Sequence, residues 1–163
     1  MAPLVARGVT MDLPPGWHGR ISRRETVSAD LRPAAAAGVV AAPPAPPAMA
    51  HAATFALPKG MGDFGGGAVE LMAAHDVFLA LIEFDAPSAG TALFTRTGLP
   101  RRLRPNQFDP QGLQRTIAGQ GGAQAFFTAA GRPFCLYVVL GSYNARVALV
   151  DEVNEVLAGI SVG

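Results

Sequence analysis

The uninterrupted apolar run from Pro133 to Leu140 constrains this chain more than any other feature of its sequence. It follows the strand-like segment Gln124 to Ala129 and a Gly131-Arg132 turn, where glycine readily supplies the positive φ of a tight hairpin turn. An apolar run without polar alternation is typical of a strand that is covered on both faces or lies at a sheet centre. The sequence therefore predicts a hairpin within a covered sheet.

An amphipathic helix is predicted after this hairpin, from about Asn144 to Gly159. Apolar residues recur there at helical spacing: Leu149, Val150, Val153, Val156, Leu157 and Ile160. Ser142 or Asn144 is placed to cap the N-terminus, and Gly159 is placed to end the helix. The apolar face of such a helix must pack against the sheet.

Earlier segments predict further strands. Residues 9–13 and 17–24 alternate between apolar and polar side chains, which predicts the two strands of a hairpin. Residues 77–84 are densely apolar and predict the central strand, and the alternation at residues 53–57 predicts one more. With a short helix at residues 68–74, we expect an α+β fold: an antiparallel β-sheet packed against a C-terminal helix and one or two shorter helices.

Length and composition favour one folded unit. The 163 residues fit a single α+β domain that spans residues 1–163. Half of the residues are hydrophobic and 15% are charged, which is the composition of a compact folded chain. The stretch at about 27–50 is rich in Pro and Ala, which predicts a surface insertion with extended backbone.

Net charge and hydropathy limit the classes of partner and the cellular location that we expect. The formal net charge of +1 gives no field able to hold a phosphate backbone, so we expect no nucleic-acid partner. No apolar run approaches the ~20 residues that span a bilayer, and residues 1–9 lack the pattern of a signal peptide. We therefore expect a cytoplasmic protein without membrane insertion, and the oligomeric state is left open.

Residues that usually carry catalysis or bind metals are sparse. The single cysteine excludes an internal disulfide and multi-cysteine metal sites, and Cys135 lies inside the apolar run, where an inert buried thiol is expected. His18, His51 and His75 lack the i, i+4 spacing of a zinc site. We therefore predict no catalytic residues, no metal site and no cofactor.

A glycine-rich loop at Gly60–Gly67 is the feature of the sequence that would suit a bound ligand. Residues 60–65 fit G-x-G-x-x-G, the pattern that cradles a pyrophosphate in dinucleotide-binding folds, and the acidic residues Glu83 and Asp85 lie further along. The residues of such a ligand loop are Gly60, Gly62, Asp63 and Gly65. Residues 66–76 are too few for the crossover helix of that fold, so we interpret the loop primarily as a connection.

The largest local concentration of positive charge is formed by Arg101, Arg102 and Arg104. Pro100 and Pro105 favour an extended backbone there, which displays the guanidinium groups well. Such groups bind carboxylates or phosphates with two parallel hydrogen bonds. Two interpretations stay open: a solvated loop balanced by acidic residues elsewhere, and a surface that binds an anionic partner. We assign the three arginines to partner binding, most simply to another protein.

The order of the elements resembles the PsbP/Mog-like fold. The resemblance rests on an opening strand that ends in Leu13-Pro14-Pro15-Gly16-Trp17, on the hairpin into residues 134–140 and on a closing helix that carries residues 153–157. It implies a sandwich of an antiparallel sheet and helices in an adaptor or accessory subunit without shared catalytic residues. Our hypothesis is a non-enzymatic accessory or protein-interaction module. The alternative is a small enzyme or a nucleotide- or anion-binding protein that uses the Gly60–Gly67 loop.

Overall fold

The computed structural model describes residues 2–24 and 46–163. Within these ranges the chain forms two antiparallel sheets and one α-helix, which confirms the predicted α+β class. The elements are β1 (Leu4–Ala6), β2 (Val9–Met11), β3 (His18–Arg23), β4 (Ala48–Ala53), β5 (Val77–Glu83), β6 (Gly121–Ala129), β7 (Arg132–Leu140), α1 (Arg146–Ala158) and β8 (Ile160–Val162). Short 3-10 helices lie at Val69–Leu71, Ala86–Ser88, Ala92–Phe94 and Pro105–Gln107. No helix in the described ranges has the length and apolar character needed to cross a membrane.

The larger sheet contains five antiparallel strands in the order β3-β4-β5-β7-β6. β6 and β7 form the predicted hairpin, and its turn holds Ala130 and Gly131 at φ values of 51° and 72°. Two successive left-handed residues match the twist of the flanking strands, so this turn closes the hairpin without splaying them. The densely apolar β5 lies at the centre of the sheet, as predicted, and all of its residues are buried.

Alternate residues of the central strands build a core on one face of this sheet, which we call the helix face. Leu79 and Leu81 of β5 and Leu136 and Val138 of β7 lie there in one cluster with α1. The helix contributes Leu149, Val150, Val153, Val156 and Leu157. Their burial confirms the predicted apolar face of the helix, and each such side chain stabilises the fold by about 1.5–3 kcal/mol relative to exposure.

The remaining residues of the same strands point to the opposite side of the sheet, which we call the loop face. Phe78, Ile82, Cys135, Tyr137 and Val139 are buried there in a second cluster. Loops cover this cluster with partly buried apolar side chains: Phe55, Leu57, Met61, Phe64, Met72, Leu113 and Ile117. The prediction that the apolar run of β7 is covered on both faces is therefore confirmed.

A three-stranded sheet, in the order β1-β2-β8, joins two distant parts of the chain. β2 pairs with β8 so that Met11 lies opposite Ile160, and both side chains are buried in the helix-face core. The Asp12 N–H donates to the Gly159 carbonyl oxygen at 2.8 Å. A Cβ at Gly159 would collide with the Asp12 carbonyl oxygen, so only glycine fits where the helix passes into β8.

An ion pair connects the two sheets. Arg132 Nε and Nη2 donate to the two carboxylate oxygens of Glu83 at 3.0 and 2.9 Å. Arg132 Nη2 also donates to the carbonyl oxygen of Arg7, in the turn between β1 and β2, at 2.8 Å. Glu83 is only 8% exposed, and its Oε1 accepts the Ala48 N–H at 3.2 Å. Both carboxylate oxygens thus have donors, which offsets the cost of burying the charge.

The strand predictions in the first half of the chain were partly wrong. Residues 9–13 and 17–24 do not form a hairpin, because β2 pairs with β1 and β8 whereas β3 pairs with β4. Alternation specifies the face that a side chain takes and leaves the pairing partner open. The strand predicted at 53–57 lies earlier, at Ala48–Ala53, so residues 48–50 of the predicted insertion belong to β4. Residues 27–45 of that insertion lie outside the described residues.

Only the C-terminal end of the helix lies where the sequence predicted. Gly159 is the C-terminal cap, as predicted. The N-cap is Ala145, and neither Ser142 nor Asn144 takes that place; Ser142 Oγ accepts the Ala145 N–H at 3.3 Å, one residue before the helix. Ile160 continues the helical apolar spacing but belongs to β8, since the chain turns at Gly159.

Candidate functional site

The segment that carries the three arginines is fixed to the body of the protein by its leucines and its backbone. Leu99 and Leu103 are buried in the helix-face core. Asn154 of α1 holds Leu103 through two hydrogen bonds: Oδ1 accepts the Leu103 N–H at 2.8 Å, and Nδ2 donates to the Leu103 carbonyl oxygen at 3.0 Å. This reciprocal amide pair fixes the backbone of the segment against the helix.

The three guanidinium groups differ in what they contact. Arg101 Nη1 donates to the carbonyl oxygen of Ile160 at 2.9 Å, which connects the segment to β8. Arg102 and Arg104 are exposed, and neither guanidinium group has a hydrogen-bond or salt-bridge partner within residues 2–24 and 46–163. The structure thus gives Arg101 a structural contact. We call the other two residues the arginine surface.

Sequence reasoning missed Asn154, although the chain carries a signal for it. Asparagine is a poor helix former, and this one lies a single turn from the buried Val150 and Leu157. A polar side chain at the edge of a buried helical face needs hydrogen-bond partners. Its partners are the backbone groups of Leu103, 51 positions away, which periodicity alone does not identify.

The glycine-rich loop closes on its own backbone. The Gly62 N–H donates to the Gly66 carbonyl oxygen at 2.9 Å, and the Gly65 N–H donates to the Gly62 carbonyl oxygen at 3.0 Å. A pyrophosphate cradle instead directs such amide groups at its ligand. The loop is followed by the three-residue 3-10 helix Val69–Leu71, where the dinucleotide fold has a crossover α-helix.

Packing explains why the third glycine of the motif, Gly65, is a glycine. Gly65 has a φ of 86°, and a Cβ there would lie 2.6 Å from the ring of Phe78. The neighbouring Phe64 contacts Tyr137 edge-on, with 5.5 Å between the ring centroids. Gly60 has a φ of 73°, but the space around it is open. Two of the predicted ligand-loop glycines therefore serve different purposes: Gly65 permits close packing on the sheet, and Gly60 permits a turn.

Asp63, the acidic residue of the loop, contacts His51 of β4 and Arg24, the residue that follows β3. Its Oδ2 accepts a hydrogen bond from Arg24 Nε at 2.9 Å, and its carbonyl oxygen lies 2.7 Å from His51 Nε2. Since a carbonyl oxygen only accepts, His51 carries a proton on Nε2. His51 is 1% exposed, and burial lowers its pKa, so the ring stays neutral at neutral pH.

Groups that often carry catalysis or bind metals are buried or dispersed. Burial raises the pKa of the Cys135 thiol to about 12, so the nucleophilic thiolate does not form near neutral pH. In the part of the chain that the structure describes, no three His, Cys, Asp or Glu side chains are grouped so that they could hold a metal ion. The arginine surface is thus the candidate site that the predicted residues supply.

Comparisons with known proteins assign this chain to no family. No protein-family model matches it, and no curated protein or solved structure is significantly similar to it.

Proposed function

We propose that this chain is a non-enzymatic accessory or interaction protein that binds an acidic segment of another protein through Arg102 and Arg104. The observation that supports the proposal is the contrast between a fixed backbone and free side-chain ends. Asn154 and the buried Leu103 hold the segment in place, while both guanidinium groups are exposed and unpaired within the described residues. The resemblance to PsbP/Mog-like adaptors stays a prediction that agrees with this role.

A fixed segment favours binding because little backbone freedom is lost when a partner docks. Ordering a loop during binding costs free energy. The hydrogen bonds of Leu103 already order this segment in the free protein, so most of that cost does not arise. Arginine also suits an exposed recognition site, since its planar guanidinium group donates two parallel hydrogen bonds to a carboxylate. Charge pairs at the rim of an interface mainly raise the association rate, so binding should weaken as salt rises.

The test compares two double variants with equal loss of charge. Arg102→Ala/Arg104→Ala removes the arginine surface, and Arg23→Ala/Arg96→Ala removes two exposed arginines elsewhere. We expect the first variant to lose the partner that copurifies with the wild-type protein, and the control to retain it. Both should keep their unfolding free energy within about 0.5 kcal/mol of wild type, because surface substitutions seldom change stability more.

A defined probe makes the same comparison quantitative. Fluorescence anisotropy with a labelled oligo-glutamate peptide should show salt-sensitive binding to wild type and to the control, and weaker binding to Arg102→Ala/Arg104→Ala. Equal binding by all three proteins would contradict the proposal. Equal loss in both double variants would indicate attraction by net charge without a defined site.

A further inference from the structure

The two edges of the five-stranded sheet differ in how they are covered. At one edge, loops bond to β6 near both of its ends. Gly122 exchanges two hydrogen bonds with Asp109, at 2.9 and 3.0 Å, and the Thr128 N–H donates to the Arg96 carbonyl oxygen at 2.8 Å. At the other edge, β3 pairs only with β4 among the described residues. An edge strand without a second neighbour presents backbone groups with which another chain can pair.

The register of β3 shows which of its backbone groups face outward. The Arg24 N–H donates to the Pro47 carbonyl oxygen at 2.7 Å, directly after the last pair of the β3-β4 ladder. Hydrogen-bonded pairs alternate along an antiparallel ladder, so the even-numbered residues of β3 bond to β4 and the odd-numbered residues face away from it. The outward-facing residues are Gly19, Ile21 and Arg23. Within residues 2–24 and 46–163, their N–H and carbonyl groups have no hydrogen-bond partner.

Apolar side chains flank this edge on the helix face. Ile21 is partly buried against the helix-face core. A Cβ at Gly19 would lie 2.8 Å from Leu4 Cδ1, and Leu4 is 38% exposed. Residues opposite each other on neighbouring strands point to the same face, and a large ring can cover a glycine of the adjacent strand. An aromatic residue opposite Gly19 in an added strand would therefore cover Leu4, and a β-branched residue opposite Ile21 would extend the core.

The loop face beside the same edge carries a positive charge without a negative partner. Arg20 Nη1 and Nη2 donate to the carbonyl oxygens of Pro58 and Leu57 at 3.1 and 3.2 Å. These contacts hold the guanidinium group in place, but no carboxylate in the described part of the chain forms a salt bridge with it. A glutamate opposite Arg20 would supply that charge, whereas a second copy of this chain would bring another Arg20 to the same face. Charge therefore favours an acidic strand over self-association.

We propose that β3 binds an extended acidic segment of another protein, which adds to the larger sheet as a sixth, antiparallel strand. Strand addition gains affinity from backbone hydrogen bonds and specificity from alternate side chains. From its N-terminus onward, the segment carries a β-branched residue opposite Ile21, a glutamate opposite Arg20 and an aromatic residue opposite Gly19. Neither Arg102 nor Arg104 belongs to this edge, so the failure of either proposal leaves the other standing.

The probe is a fluorescently labelled peptide, Ser-Thr-Thr-Val-Glu-Phe-Thr, whose Val, Glu and Phe lie opposite Ile21, Arg20 and Gly19. We expect saturable binding in fluorescence anisotropy. N-methylation of both Val and Phe removes N–H groups that donate to β3, and should weaken binding at least about tenfold. N-methylation of Glu alone, whose N–H faces away from β3, is the control and should leave the affinity nearly unchanged. Absence of binding, or equal binding by the two methylated peptides, would overturn the proposal.

Hydrogen exchange tests whether the edge is free and locates the peptide. In the free protein, the amides of Gly19, Ile21 and Arg23 should exchange quickly, and those of Arg20 and Ser22 slowly. The peptide should slow exchange in the first group only. Protection of the first group before the peptide is added would show that this edge is already paired, within the chain or with a second copy, and would refute the proposal.

Two protein variants separate this edge from the arginine surface. Ile21→Pro removes an outward N–H that takes no part in the β3-β4 ladder, a position where edge strands tolerate proline, and should weaken peptide binding at least about tenfold. Arg102→Ala/Arg104→Ala should bind the peptide as wild type does, and a loss of binding there would assign the peptide to the arginine surface instead. If Ile21→Pro does not fold, the methylated peptides still decide the question with the wild-type protein.

A change in the peptide tests the acidic character of the partner. Replacing its glutamate by glutamine should weaken binding about two- to fivefold and reduce the dependence on salt. Equal affinity of the two peptides would contradict the pairing with Arg20 and the choice of an acidic segment.

Discussion

Replacing Gly65 by alanine tests whether the glycine-rich loop owes its sequence to packing. The substitution has two costs. An alanine at φ 86° lies in the left-handed region, which destabilises an L-residue by about 1–2 kcal/mol. Its Cβ would also lie 2.6 Å from a ring carbon of Phe78, which is fully buried in the central strand. Forcing an extra methyl group into such a site costs about 1–3 kcal/mol more.

Gly60→Ala is the matched control, because it isolates the first cost. Gly60 has a φ of 73°, close to that of Gly65, and nothing lies within 4 Å of its added Cβ. Gly60→Ala should therefore lower the free energy of unfolding by about 1–2 kcal/mol. Gly66→Ala, where φ is not left-handed and the space is open, should stay within about 0.5 kcal/mol of wild type.

Urea denaturation of the four proteins measures these differences, provided that the m-values agree. Gly65→Ala should be about 1–3 kcal/mol less stable than Gly60→Ala. For a chain of this size, each kcal/mol corresponds to about 2–4 °C in Tm, so thermal scans should give the same order. Equal destabilisation by the two substitutions would refute the packing argument and would reopen a ligand role for the loop.

Three further predictions concern buried polar groups. The Cys135 thiol should resist Ellman's reagent at pH 8 in the folded protein and react fully in denaturant, because burial raises its pKa to about 12. Burial lowers the pKa of His51 in the folded state, so below pH 6.5 the unfolded chain binds more protons than the folded chain. The contribution of His51 to stability should therefore be complete above pH 6.5 and decrease below it. His51→Gln should make the urea midpoint depend less on pH. Arg132→Met should cost about 3–5 kcal/mol by leaving the Glu83 carboxylate buried without its partner. In urea denaturation, Glu83→Gln/Arg132→Met should be more stable than that single variant, and the reverse order would show that the ion pair is not buried.

Local patterns in the sequence predicted the centre of the fold well. The apolar runs of β5 and β7 have no polar face, so both strands had to be covered on two sides. The spacing of Val150, Val153 and Leu157 likewise fixed which side of the helix is buried. Both features depend only on residues that are close together in the sequence, and the structure confirms them.

Pairings between distant segments could not be predicted in the same way. The short strand β8 consists of Ile160–Val162, and its apolar residue also fits the preceding helical spacing. Only the approach of Gly159 to Asp12 shows that the chain turns there and pairs with β2. The sequence pattern predicts β4 too late, at 53–57, because Ala48–Ala53 is mostly alanine, which is depleted in strands.

For the arginine segment, the sequence predicted three displayed guanidinium groups, of which Arg101 is bonded to the Ile160 carbonyl oxygen, and it missed what holds the segment. Flanking prolines and clustered charge are local signals. The contact of Asn154 with Leu103 depends on how α1 lies against a distant loop, and that geometry exists only in the folded chain. The roles of Arg101 and Arg102 therefore separate only in the structure, because one side chain reaches the carbonyl oxygen of Ile160 and the other does not.

The pairing of β2 with β8 has a consequence for the order of folding. Val9 lies opposite Val162, so this contact closes a loop of nearly the whole sequence, and its entropic cost must be met before the contact becomes favourable. The β6-β7 hairpin, in contrast, closes through a two-residue turn and can form early. During synthesis, the small sheet cannot be completed until residues 160–162 have left the ribosome. Until then β2 can pair only with β1, and Met11 lacks the neighbouring Ile160 that helps to bury it in the folded protein.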